Sequence, residues 1–243
     1  MSFDALAPHY DWMEAVLAGS CLQRGRTVWL DALAGSRDIL SVGEGHGRFA
    51  TACAQRHPAA RLTCVDASAV MLRQAQRRAA AAGVDRLITW QTATLPTWKP
   101  PVNSYDAIVT GFFLDCFPPD PLAQVIATLA AAARPAACWL VVDFAVPARG
   151  LARWRAQMVH KLMYDFFRLA TRLPARRHTP PDALLTAQGF ALAGRQTWEW
   201  GLLQADLWRR PGGLVRRADN PDPLVGAIPT DRTYSPAQLP VTT

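Results

Sequence analysis

Apolar residues along this chain follow two different periods, and the switches between them divide it into helices and strands. Leu6, Tyr10, Met13, Val16 and Leu17 recur at helical intervals, so residues 4–33 predict a helix with a break near Gly19. The short apolar run 39–42 predicts a strand. It leads into Gly43, Glu44, Gly45, His46 and Gly47, then into a helix that His57-Pro58 ends near residue 56. Residues 61–65 predict a second strand finishing at Asp66, and 68–82 a helix closed by Gly83. Strands follow at 87–91 and 105–110, separated by the turn-rich segment 99–104.

The second half continues the alternation. Residues 120–133 predict a helix stopped by Pro135, and 138–144 form an apolar run carrying one acid, as expected of a central parallel strand buried on both faces. Residues 152–173 predict another helix, 182–188 a short helix closed by Gly189, and 191–197 and 202–208 a closing pair of strands. From residue 211 the chain turns to Pro, Gly, Asp and Arg with little periodicity, so 211–243 reads as a tail without regular packing. Strand and helix alternating in this way predict an α/β fold: a Rossmann-like, doubly wound, mostly parallel seven-stranded sheet with helices on both faces.

Composition narrows the class. Half of the 243 residues are apolar and 19% are charged, which excludes a disordered chain or a fibre. The most apolar stretch, 127–142, is broken by Arg134 and Pro135, so no transmembrane helix is expected. The first basic residue is Arg24, and no secretory signal is expected. Cys21, Cys53, Cys64, Cys116 and Cys138 are odd in number and lack metal-ligand spacing, which points to a reduced, cytoplasmic protein without a metal site. The net charge of +7 is uneven. Arg149, Arg153, Arg155, Lys161, Arg168, Arg172, Arg176 and Arg177 face a single acid, Asp165, over 149–178. This stretch is either a solvated helix face or a contact for an acidic substrate, a membrane surface or nucleic acid.

A glycine-rich turn between the first strand and its helix suits a nucleotide-like ligand, because glycines let backbone approach it and a helix N-terminus offers free N–H donors. The spacing is G-x-G-x-G, and Arg48 stands where a dinucleotide site needs its third glycine. Asp66, nineteen residues beyond Gly47 at the end of the second strand, is placed to accept both hydroxyls of a ribose.

With these residues in place, the sequence resembles class I S-adenosylmethionine-dependent methyltransferases over about residues 1–210. Leu40-Ser41-Val42-Gly43-Glu44-Gly45-His46-Gly47 resembles that family's first motif, and Val65-Asp66-Ala67-Ser68-Ala69-Val70-Met71-Leu72 its second. Residues 105–109 resemble its fourth-strand motif and 136–144 its fifth strand, while 3–12 resemble the first helix of the ubiquinone/menaquinone-biosynthesis type. The resemblance implies S-adenosyl-L-methionine as cofactor. It places Gly43, Gly45 and Gly47 beside the methionine part, Asp66 on the ribose, and Ala67 and Met71 about the adenine. Thr110 and Gly111 would offer carbonyls to the ammonium, with Tyr10, Glu44, Ser68, Ala93, Thr94 and Phe112 completing the cofactor site. Two departures stand out: Ser41 replaces a frequent acid, for which Glu44 could substitute, and Thr94 replaces a third-motif Asp.

For the acceptor, the expected pocket consists of Tyr10, Trp12, Phe113, Asp115, Met158, Leu162 and Phe166, with 149–178 as a cap-helix region and 1–35 as an N-terminal helical arm. Trp154, Met158, Leu162, Phe166 and Leu169 give that cap one apolar stripe. Asp115, His160 and His9 are the candidate bases, His46 a loop-orienting group, and Cys116 a small core residue. The expected reaction is methyl transfer to a small aromatic or apolar molecule, at a phenol or enol oxygen or an activated carbon, by a monomer or homodimer. An RNA-modifying methyltransferase and a non-catalytic cofactor-binding scaffold are the alternatives; nucleic acid is disfavoured because no appended RNA-binding module is present.

Overall fold

The computed structural model describes residues 19–171 and 179–211. Seven strands form one sheet in the order β3-β2-β1-β4-β5-β7-β6. β1 (Asp38–Val42), β2 (Arg61–Asp66), β3 (Ile88–Thr92), β4 (Tyr105–Gly111) and β5 (Ala133–Phe144) are parallel. β7 (Leu203–Arg209) pairs antiparallel with both β5 and β6 (Ala191–Trp198). The helices are α1 (Gly19–Thr27), α2 (Arg48–Arg56), α3 (Ala69–Ala81), α4 (Pro119–Ala132), α5 (Gly150–Thr171) and α6 (Asp182–Ala187).

Strand alternation builds two cores. Leu40, Ile108, Trp139 and Trp208 point to one face, under Leu122, Ile126 and Leu129 of α4 and Leu185 of α6. Ile39, Ala107, Leu140 and Leu207 point to the other, under Phe49 and Cys53 of α2 and Ala79 of α3. Trp139 is fully buried, stacks edge-on against Phe190 at 5.5 Å and donates its indole N–H to Thr110 Oγ1 at 3.0 Å. Truncating such an anchor costs about 3–5 kcal/mol.

The described element boundaries agree with the sequence pattern except at the first helix, at α4 and at β5. α1 ends at Thr27, and only a 3-10 turn, Leu30–Leu33, follows where the pattern predicts helix to residue 33. The expected helix over 4–18 and the tail beyond 211 lie outside the described residues. α4 ends at Ala132 and β5 begins at once, so Pro135 lies inside the strand instead of stopping the helix. Ala133 already pairs with Tyr105, after which a bulge with Ala136 at φ 63° restores register at Ala107 and Cys138. Pro135 is exposed there and interrupts no ladder that the core needs.

The chain builds outward from β1 to β3, then returns to β4 on the other side of β1. Two neighbouring strands whose connections leave in opposite directions open a crevice at their C-terminal ends. The opposite ends are closed by Arg134, which bridges Asp38 at 3.0 Å and Asp106 at 2.9 Å.

Candidate functional site

The loop after β1 enters the crevice with Gly43, Gly45 and Gly47 all at positive φ (73°, 62° and 83°). Their surroundings assign them different tasks. A Cβ on Gly47 would lie 2.7 Å from the Ala75 Cα, so this glycine lets α2 start against α3. A Cβ on Gly43 would meet the Phe113 ring at 2.5 Å. A Cβ on Gly45 would meet nothing within 4 Å among the described residues, and a ligand has room at the bare backbone.

Glu44 turns inward. Its carboxylate accepts from Ser41 Oγ at 2.5 Å and from the Ala50 N–H at 2.8 Å, supplying the cap that Gly47, the N-cap residue of α2, lacks. Burial pushes its carboxyl up to about 7, against the opposing pull of these two donors. The expectation that Glu44 faces the cofactor is therefore corrected: Ser41 and Glu44 act as one unit that fixes the loop from beneath. His46 is buried beside it, its Nε2 at 2.8 Å from Arg48 Nε and its carbonyl accepting from Arg78 Nε at 3.0 Å.

Asp66 ends β2 at the rim of the crevice. Its Oδ2 accepts from the Gly45 N–H at 2.9 Å and its Oδ1 from the Ser68 N–H at 2.8 Å. Ser68 caps α3 through the Met71 N–H at 3.1 Å. A carboxylate oxygen can accept more than one hydrogen bond, so this acid is chemically suited to hydroxyl donors. A cavity of about 260 Å³ opens beside it, walled by Val42, Gly43, Ala67, Ala93, Thr94 and Phe113, with Val65, Leu95, Pro96, Phe117, Pro118 and Pro121 behind. An apolar slot with one carboxylate at its mouth fits a nucleoside: a flat base between apolar walls and a sugar on the acid.

Some expected site residues stand elsewhere. Met71, in the first turn of α3, is 2% exposed and does not line the slot. The Thr110 hydroxyl is occupied by Trp139, leaving its backbone and that of Gly111, where a Cβ would meet open space. Phe113 lines the slot beside Asp66, packed edge-on against Phe117 at 5.0 Å. Leu95, Pro96, Phe117, Pro118 and Pro121 complete the slot without any signal in the motifs, because chain return from β3 and β4 brings them there.

A second cluster occupies the ends of β4 and β5. Asp143, the one acid of the β5 run, is buried; its Oδ1 accepts from the Phe113 N–H at 3.0 Å and its Oδ2 has no partner among the described residues. Asp115, in the turn Leu114–Cys116, is buried and lies within hydrogen-bond reach of the Cys116 thiol at 3.5 Å. Burial raises both carboxyls, Asp115 to about 6, and the neighbouring Asp115 charge raises Asp143 further. Burial pushes the Cys116 thiol far up, which disfavours its thiolate, and the side chain packs, partly buried, against the core. Asp143 belongs to none of the family motifs; its signal in the sequence is an acid inside an otherwise apolar strand.

Phe112, at φ 54°, lies against Phe144 at 5.2 Å and beneath the Arg26 guanidinium at 4.9 Å. His160 of α5 is buried edge-on to Phe144 at 6.1 Å, which brings it to the same end of the sheet. The apolar stripe of α5 does not accompany it. Met158 is 46% exposed, Leu162 69% and Trp154 63%, which corrects their assignment to an acceptor pocket. The helix approaches the sheet through Ala156 and His160, whose face is opposite. Tyr10, Trp12 and His9 lie outside the described residues, as does the Phe166 side chain. No metal-binding group of His, Cys, Asp or Glu occurs among the described residues.

Residues 39–136 match the methyltransferase-domain family. The fold, the glycine loop and the acid ending β2, together with this match, are those of a class I S-adenosylmethionine-dependent methyltransferase. Over 214 residues the chain is 25% identical to the ubiquinone/menaquinone biosynthesis C-methyltransferase UbiE of Desulfotalea psychrophila, covering 86% of this chain and 80% of that protein. Among solved structures it is similar to the [4+2]-cyclase SpnF (15% identity, TM-score 0.66, 87% of this chain and 94% of that one). It is also similar to the Burkholderia thailandensis 1,6-didemethyltoxoflavin-N1-methyltransferase with bound S-adenosylhomocysteine (18%, TM-score 0.57, 85% and 88%). An O-methyltransferase family protein from Burkholderia thailandensis gives 14% identity and TM-score 0.64 over 85% of this chain, which spans only 60% of that longer chain.

Proposed function

We propose that this protein transfers the methyl group of S-adenosylmethionine to a small aromatic or apolar acceptor, at a phenol or enol oxygen or an activated carbon. The observation that carries the reading is Asp66 at the mouth of the nucleoside slot, tied to the open backbone of Gly45. When bound, the cofactor supplies an electrophilic methyl on a sulfonium whose charge disappears as the methyl leaves. Asp66 would hold the ribose hydroxyls, the Thr94 hydroxyl would accept from the adenine amino group, and the Thr110–Gly111 backbone would face the ammonium. Phe112 and Phe144 would keep water from the acceptor side, and orientation supplies most of the acceleration such a displacement needs.

A phenol or enol must also lose a proton. Asp115, with its carboxyl raised to about 6, would take it near neutral pH, and Asp143 would hold a second proton beside it. The catalytic unit of this reading is residues 1–210, with 211–243 as an appended tail, working in the cytoplasm as a monomer or homodimer without nucleic acid. No described helix is long and apolar enough to cross a membrane. Incubation with methyl-labelled S-adenosylmethionine and a panel of phenols and quinols tests it. Acceptor-dependent release of S-adenosylhomocysteine supports the reading; tight S-adenosylhomocysteine binding without turnover on any acceptor would point to a scaffold.

A further inference from the structure

α5 presents two unlike faces. The one against the sheet is made of small or polar residues, Ala156 at 1% and His160 at 5% exposure. The outer one carries Leu151, Trp154, Met158 and Leu162 at successive three- and four-residue intervals, 81%, 63%, 46% and 69% exposed. Trp200, 73% exposed at φ 58° beside the same helix, lies beneath the Arg155 guanidinium at 5.5 Å and widens the patch. Leaving four large apolar side chains and a second tryptophan in water is costly, and such patches mark contact surfaces.

Charge selects the occupant. Arg149, just before the helix, and Arg153 and Lys161 on it are exposed and Arg155 is half-buried. The acids facing them are Asp165, which pairs with Lys161 at 2.8 Å, and Glu199, which lies 3.5 Å from Arg155. The sequence continues with Arg168, Arg172, Arg176 and Arg177. We propose that α5 docks the protein onto an anionic lipid surface, lying in the plane of the interface with Leu151, Trp154, Met158 and Leu162 immersed and the flanking cations among the headgroups. A 22-residue helix with a Trp/Leu/Met outer face and basic flanks has the chemistry of an interfacial helix. A second copy of the chain fits less well, because pairing two such stripes brings the cationic flanks together. The inference is independent of methyl transfer: it rests on the outer face of α5, while the slot beside Asp66 lies elsewhere.

The test is cosedimentation of the full chain with phosphatidylcholine vesicles, with and without phosphatidylglycerol. The variants are Leu151→Gln/Trp154→Gln and Arg149→Gln/Arg153→Gln, whose altered residues are exposed and leave the core intact; circular dichroism and melting check this. Binding is expected only to vesicles containing phosphatidylglycerol, about tenfold weaker in either variant and weakened by salt. Absence of vesicle binding overturns the proposal. So does binding that survives Leu151→Gln/Trp154→Gln but not the arginine change, which indicates a purely electrostatic partner. A concentration-dependent dimer in sedimentation velocity, abolished by Leu151→Gln/Trp154→Gln, assigns the face to a second copy and overturns it as well. S-adenosylhomocysteine binding, measured on the same samples, reports separately on the proposed function.

Discussion

The Asp66 carboxylate accepts a hydrogen bond from the Gly45 N–H at 2.9 Å, joining the end of β2 to the middle of the loop after β1. One side chain thereby ties the loop down and lines the slot. The loop is held from beneath by a second carboxylate, Glu44, on Ser41 and Ala50. Two acids, one below and one at the rim, fix a segment whose three glycines would otherwise be free to move.

The three glycines should separate by assay. Gly45→Val is expected to abolish S-adenosylhomocysteine binding while lowering the melting temperature modestly, since its side chain enters open space at φ 62°. Gly47→Val is expected to destabilise the fold by about 2 kcal/mol or more, because the new side chain meets the Ala75 backbone. Calorimetry and thermal melting on both variants check this contrast; equal loss of stability would remove the distinction between them.

Glu44 makes stability depend on pH. Its carboxyl is at about 7 in the folded chain against 4.5 when unfolded, so the folded state favours the protonated form. That contribution is full below pH 4.5 and is lost as pH rises through 7. Glu44→Gln removes the titration and keeps an acceptor for Ala50. Relative to the native chain, the variant should gain about 3 kcal/mol, or roughly 6–12 °C in Tm, between pH 4.5 and pH 8. A Tm difference that is flat across this window would place the titration elsewhere.

If Asp115 removes the acceptor's proton, kcat/KM should rise with pH through a limb near 6. Asp115→Asn should lower kcat by about tenfold or more and erase that limb, with S-adenosylhomocysteine affinity nearly unchanged. A retained limb in the variant would take the proton-accepting role away from Asp115.

The sheet was legible because strand and helix periods alternate with capping residues in place, Ser68 and Gly83 around α3 being the plainest case. The start of β5 was not: it depends on Ala133 pairing with Tyr105 across a bulge, a long-range contact that local patterning does not encode. In the loop, spacing located the glycines but could not say that Gly47 serves α3 or that Glu44 faces inward, since both depend on what packs beneath. The α5 stripe was found by its period and assigned to the wrong side. Periodicity identifies an apolar face, whereas the close approach to Phe144 requires the small face carrying Ala156.

The most direct measurement is calorimetric titration of S-adenosylhomocysteine into the native chain and into Asp66→Ala. The account predicts saturable binding of one molecule per chain, weakened more than tenfold in the folded variant, because two charge-assisted hydrogen bonds to the ribose and the Gly45 tether are lost together. Equal affinity in native and variant chains, or no binding to the native chain, would contradict it.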